Sequence, residues 1–298
     1  MMKYTAAALA CLTLSAIAAE PVHLQYKFDA DAPTYFEMVQ DMDQSQNVQG
    51  QNINTSSVIT SMLKTELIEA NDDGSILIAT TNEHAKLEIN APGMNMSYDS
   101  TLASDKSKLS NPTIASMAGM VGLQVQLLIA PDGTILDVPN VDAIQASIDA
   151  MTDPAVKAGA SPFADEAAIK AMNEMNFKLL PAEAVEVGDE WHREFVVPFA
   201  FGNLTTSFDL TLDSVKDGIA SISITGSVSM PAVQEQGMTM NLSDADVQGM
   251  LRFNIEDGVQ ESYSMTTVMG MNATMEGMVG PILTMDMTQK VTMTRLDK

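Results

Sequence analysis

Side-chain alternation is the feature that most narrows what this chain can fold into. Leu204, Thr206, Phe208, Leu210 and Leu212 alternate with Asn203, Thr205, Ser207, Asp209, Thr211 and Asp213. A period of two puts successive side chains on opposite faces of an extended backbone, so this run reads as a half-buried strand. Near the C-terminus Met285, Met287, Val291 and Met293 share one face, while Asp286, Thr288, Lys290, Thr292 and Thr294 share the other. That segment reads as the last strand, with one wet side. Four Asp-Gly pairs, at 73–74, 132–133, 217–218 and 257–258, separate such runs. Each marks a hairpin, because tight turns need a positive φ that these residues tolerate. The hairpins expected join 54–72 to 75–90, 123–130 to 134–138, 203–216 to 219–230, and 247–256 to 259–271.

Helical spacing is concentrated between the second and third turns. Val141, Ile144, Ile148 and Met151 recur at helical intervals behind Asn140 as N-cap. Ala168, Ile169, Met172, Met175 and Leu179 do the same until Pro181 stops the helix. A shorter apolar piece, 112–121, follows Asn111 as a third candidate. The fold expected is mainly β within the α+β class: a large curved antiparallel sheet or half-barrel in two related halves, with two or three helices between them. The divisions are a leader at 1–19, a first β half at 20–139, a helical connector at 140–182 and a second β half at 183–298, with 20–298 forming one compact unit.

The start of the chain reads as a secretory signal peptide. Lys3 precedes an apolar run from Ala6 to Ile17, and small residues around Ala16 and Ala18 suit cleavage after Ala18 or Ala19. Glu20 and Pro21 end the run short of the roughly 20 residues a membrane span needs. Cys11 lies inside the apolar run, where a lipidated cysteine would close it. Cleavage therefore leaves a mature chain with no cysteine, hence no disulfide, thiolate metal site or cysteine nucleophile. The expected destination is the periplasm or the medium. With 39 acidic residues against 15 basic ones, a net charge of −24, the surface repels nucleic acid phosphates and anionic membranes. A hydrophobic content of 46% is enough to build a core.

Several stretches are similar to a family of secreted bacterial proteins of unknown function. They are the mature start Leu24 to Phe28, the Met-bearing polar strand Tyr35 to Gln49, the hairpin Ile129 to Ile135, and Val187-Gly188-Asp189-Glu190-Trp191 at the opening of the second half. The resemblance implies export and a β-rich fold and carries over no functional residue. The order of strands and helices also resembles, more loosely, that of periplasmic lipoprotein carriers, in which helices close a curled antiparallel sheet around an apolar cavity; that is an analogy of fold.

Signatures of catalysis are absent from the sequence. His23, His84 and His192 are scattered, and HExxH, GxSxG, P-loop and GxGxxG motifs do not occur. Asp41, Asp43 and Ser45 begin like a calcium loop, but Gln46 stands where glycine is required and Asn52 where a bidentate glutamate is. No cofactor or metal is expected, and the chain reads as a non-enzymatic envelope or secreted protein that binds a hydrophobic ligand or another envelope component. Methionine is the unusual residue: 24 in the chain, often spaced as Met-x-Met. Met265, Met269 and Met271 have one parity, as do Met285, Met287 and Met293, so these six are the candidate lining of a pocket for a hydrophobic small molecule or lipid. Two other readings compete. Clustered thioethers are soft ligands suited to Cu(I), and a hydrolase with dispersed residues would need a polar cleft and a serine-histidine-carboxylate geometry that need not be contiguous in sequence.

Overall fold

The structure, a computed structural model, describes residues 21–48, 50–199, 202–235, 238–276 and 280–297. The expected signal peptide lies outside the described residues. Thirteen strands form one antiparallel sheet: β1 (Thr34–Val48), β2 (Gln51–Ala70), β3 (Ile76–Ala91), β4 (Met94–Asp99), β5 (Gln124–Ile129), β6 (Ile135–Asp137), β7 (Glu190–Phe199), β8 (Gly202–Lys216), β9 (Ile219–Ser229), β10 (Val233–Glu235), β11 (Met238–Asn254), β12 (Val259–Met275) and β13 (Pro281–Leu296). Their order is β6-β5-β3-β2-β1-β13-β12-β11-β9-β8-β7, with β4 added beside β3 and β10 beside β11. The sheet is open, since the path ends on β6 and β7 without joining them.

All four Asp-Gly hairpins form as read: β2–β3, β5–β6, β8–β9 and β11–β12. Gly74, Gly133, Gly218 and Gly258 all have positive φ, and at the third turn Asp217 does as well. Bulges interrupt the register at Met62/Leu63 and Leu67/Glu69 in β2–β3, at Leu212/Ser214 in β8–β9, and at Leu242/Asp244 and Arg252/Phe253 in β11–β12. Each adds local twist and bends its strand.

The bends add up to a curl. Along the path, β6 and β7 are ten strand spacings apart, about 48 Å if the sheet lay flat at 4.8 Å per strand. Yet Arg193 in β7 stands 3.9 Å from Asp132 in the β5–β6 turn. The two ends of the sheet must therefore turn toward each other. Around that junction the Trp191 indole donates to the Leu179 carbonyl at 2.8 Å, and the Arg193 guanidinium donates to the Leu180 carbonyl.

Four α-helices and two 3-10 segments occupy the concave side: α1 (Pro112–Met120), α2 (Val141–Asp149), α3 (Pro154–Ala160) and α4 (Glu166–Phe177), with 3-10 turns at Ala103–Ser110 and Ser161–Ala164. This exceeds the two or three helices expected. Asn111 caps α1 by accepting from the backbone of Thr113 and Ile114. Asn140 does not cap α2; its side chain bridges to β5 instead, accepting from Gln126 N and donating to the Gln124 carbonyl. α4 ends at Phe177, short of Pro181, because Leu179 and Leu180 leave the helix to bury fully in the core.

The main core lies inside the curl, joining Ile78, Leu127 and Ile129 from one flank with Phe208, Leu210, Ile222 and Phe253 from the other. The extended segment before β1 threads into it. Leu24, Tyr26 and Phe28 are buried, Val22 bridges to Val185, and the Tyr26 ring meets Phe177 and Phe253 edge-on.

Candidate functional site

Strand register decides which side chains look into the curl. Residues directly opposite in an antiparallel ladder share a face. Met38 pairs with Met293 and Ser61, Gln40 with Val291 and Ile59, Tyr263 with Met293, and Met265 with Val291. All of these therefore face the concave side with the core. Across from them stand α1 and α4, which present Met117, Met120, Met172 and Met175. Between sheet and helices lies a cleft of about 550 Å³, spanning β12, β13, β1, β2, β3 and β5. That volume falls within the roughly 300–1,000 Å³ of small-molecule sites.

Six methionines wall this cleft, together with Ile59, Leu63, Phe163, Ile169, Tyr263 and Val291. Its polar lining is made only of Ser, Thr, Asn, Gln and a tyrosine hydroxyl; no Asp, Glu, Lys, Arg or His among the described residues borders it. The Tyr263 hydroxyl donates to the Met265 sulfur at 3.0 Å, and burial raises the Tyr263 pKa well above that of a free phenol. The phenol is held neutral at any physiological pH.

The six methionines singled out from the sequence all take the concave face, in register as Met269 opposite Met287 and Met271 opposite Met285. The structure distributes them along that face without gathering them. Met265 walls the cleft. Met293 is buried beside it, its sulfur accepting from the Gln260 amide at 3.5 Å. Met271 and Met285 belong to a separate cluster with Met230, Met238, Met240 and Leu242, toward the far ends of the long strands. The Met285 sulfur accepts from the Gln44 amide at 2.7 Å. Met269 and Met287 border a second depression of about 590 Å³ with Asp43, Asp286 and Thr288. Met38, Met117, Met120, Met172 and Met175 were missed. For the helical four, the available signal was apolar spacing, which marks a buried face without saying that a void adjoins it.

The two histidine-carboxylate pairs project from the other face. His84 Nε2 lies 2.9 Å from Asp99 and His192 Nδ1 lies 2.9 Å from Asp209. Their register partners, Met62 and Asp209, alternate with cleft-facing and core-facing residues. Among the described residues no serine or threonine hydroxyl is hydrogen-bonded to either imidazole. No group of three His, Cys, Asp or Glu fit to hold a metal occurs among them either. No described helix is long and apolar enough to cross a membrane.

Fold and site together define an open, curled antiparallel-sheet protein with an uncharged, largely apolar cleft between its concave face and its helices. Residues 73–260 match a family of unknown function (DUF6263), and the chain belongs to that family. No curated protein matches. Among solved structures, the chain is similar to DynF from the dynemicin biosynthesis pathway of Micromonospora chersina, at 6% identity over 93% of this chain and 85% of that one, TM-score 0.21. It is similar to the translocator domain of the autotransporter NalP from Neisseria meningitidis, at 10% identity over 92% and 91%, TM-score 0.24. A third likeness is to OccK7 (OpdD) of Pseudomonas aeruginosa, at 6% identity over 89% and 99%, TM-score 0.22. None of these scores supports a shared fold.

Proposed function

We propose that this is an exported, non-enzymatic protein of the periplasm or the medium that binds a hydrophobic small molecule or lipid in the cleft between its sheet and helices. The observation that carries this reading is the cleft itself: about 550 Å³, open to solvent on one side and walled by methionine, aliphatic and aromatic side chains. Concave, largely apolar clefts with a few polar groups are the usual form of a small-molecule site, so a cleft of this size and polarity suits a guest. Methionine's flexible thioether adapts to varied apolar shapes. Filling the cleft tests the reading. Met265→Trp and Val291→Trp should each weaken binding of the hydrocarbon probe diphenylhexatriene at least tenfold while leaving far-UV circular dichroism unchanged. Full binding by both folded variants would refute it.

One observation favours a second reading. Met269 opposite Met287 and Met271 opposite Met285 bring paired Cβ atoms within about 4.5–5.5 Å, close enough for thioethers to share a Cu(I) ion. Replacing these four by leucine should abolish Cu(I) retention against a competing chelator if copper is the ligand, and should leave diphenylhexatriene binding intact. The internal duplication, with its division at 140–182, is likewise our proposal; superposing residues 20–139 on 183–298 tests it, and a failure to superpose ends it.

A further inference from the structure

We infer that the guest of this cleft is an uncharged amphiphile, an apolar chain carrying a hydroxyl, ester or amide head that docks on a stripe of neutral polar side chains crossing the concave face. The inference rests on the cleft being a binding site, as proposed above, and specifies the chemical class it takes.

The stripe follows from register. Met38 pairs with Ser61, so Ser61 stands diagonal to Gln40, two residues further along β1. Gln40 pairs with Val291, so Gln289 stands diagonal to Gln40 on the other side. Diagonal neighbours in a ladder are about 7–8 Å apart. Ser61, Gln40 and Gln289 thus step obliquely across three adjacent strands, and all three border the cleft. Asn173 and Asn176 border it from α4, across the void.

The Asn173 amide donates to the Ile169 carbonyl at 2.8 Å, whereas the three groups of the stripe are not consumed within the fold. Ser61 is only 5% exposed, yet its hydroxyl makes no hydrogen bond with the described residues, nor does the Gln289 amide. The Gln40 amide makes only a long contact to the Met38 sulfur, at 3.9 Å. Among the described residues the fully buried side-chain polar atoms without a partner are Arg193 Nε and Gln260 Oε1, so the Ser61 hydroxyl keeps access to the cleft it borders, where a ligand oxygen can meet it. Buried polar groups left to meet a ligand also discriminate strongly for one that can pair with them.

Charge separates the ligand classes. A carboxylate or phosphate head brought into this cleft would lose its hydration and find no cation among the lining residues, inside a protein of net charge −24. An ammonium head would find no carboxylate lining the cleft. A neutral head meets donors and acceptors of matching kind, and the apolar remainder lies against methionines of both layers.

A ligand series with matched chains tests this on the full mature protein. At about pH 7.5, decanoate is ionised and decylamine protonated, whereas 1-decanol and methyl decanoate are neutral. The neutral pair should displace diphenylhexatriene at concentrations at least tenfold lower than the charged pair. Ser61→Ala and Gln40→Leu should each weaken 1-decanol about two- to tenfold, the worth of one net hydrogen bond, while hydrocarbon-probe affinity stays within twofold. Gln289→Lys should turn the preference toward decanoate. Decanoate or decylamine competing as well as 1-decanol with the unaltered protein would overturn the inference and leave the cleft as a binding site. Equal 1-decanol affinity in both stripe variants would remove the head from the stripe. Failure of the probe to bind at all would sink the cleft reading, and this inference with it.

Discussion

At the residue scale, one glycine shows how tightly the sheet ends are fitted to the helices. Gly133, in the β5–β6 turn, has φ +86°, and a Cβ there would sit 1.8 Å from the Phe177 carbonyl oxygen at the end of α4. A side chain is thus opposed twice, by backbone conformation and by a main-chain atom that cannot swing aside. Gly133→Ala should destabilise the protein by about 2–4 kcal/mol, read as a drop in thermal midpoint. Gly93 also turns with positive φ, but a Cβ there meets nothing within 4 Å. Gly93→Ala should cost about 1 kcal/mol, so the difference isolates the clash. A cost at Gly133 no greater than at Gly93 would contradict the packing described.

At the scale of elements, α1 and α3 are held in unusually close approach by small residues. A Cβ on Gly159 would stand 2.4 Å from Ser116 Cα, and one on Gly119 would stand 2.9 Å from the Ala160 Cβ. Gly159→Val should push the helices apart at a cost of about 1–3 kcal/mol and weaken probe binding as well, because Met117 and Met120 of α1 wall the cleft. Ala158→Val, on the exposed side of α3, should change neither. The same helix shows where sequence reasoning stops. The residues Pro154 to Ala160 carry alanine and glycine in place of a periodic apolar face, and α3 owes its place to close packing against α1. The signal its own sequence offers is the start, Asp153 capping Ala155 and Val156 with Pro154 in the first position, and without a periodic face that pair alone does not announce a helix. Strands were legible because alternation and Asp-Gly turns are local properties. The ladder order, with β13 between β1 and β12, is not local. The cleft was half legible: parity put Met265 and Met293 on the inner face, but only the positions of α1 and α4 decide which inner-facing residues border a void.

At the scale of the whole molecule, carboxyl titration sets the acid limit of stability. Asp99 is held well below the usual carboxylate range, first by the Thr101 hydroxyl, then by the Thr101 backbone and by His84. The Ser75 hydroxyl lowers Asp73, Lys108 lowers Asp105, and Lys157 lowers Asp149. A carboxyl depressed in the folded state lends stability that is whole above its unfolded value, about 3.9, and fades as pH falls toward the lower folded value. The thermal midpoint should therefore hold as pH drops to about 4.5 and fall below about 4. Asp99→Asn should flatten part of that fall. An acid slope unchanged in this variant would mean that Asp99 does not contribute.

The place of β13 bears on how the molecule comes into being. Its sixteen residues, Pro281–Leu296, lie in mid-sheet and supply neighbours to strands from opposite flanks, β1 and β12. As a ribosome releases the chain from its N-terminal end, those two strands wait with one edge each unsatisfied until Pro281–Leu296 has emerged. The flanks can form their hairpins early, since those contacts are near in sequence, but they cannot be joined until then. A nascent chain stalled before Pro281 should therefore stay sensitive to protease at β1 and β12, and full release should switch that sensitivity off in one step.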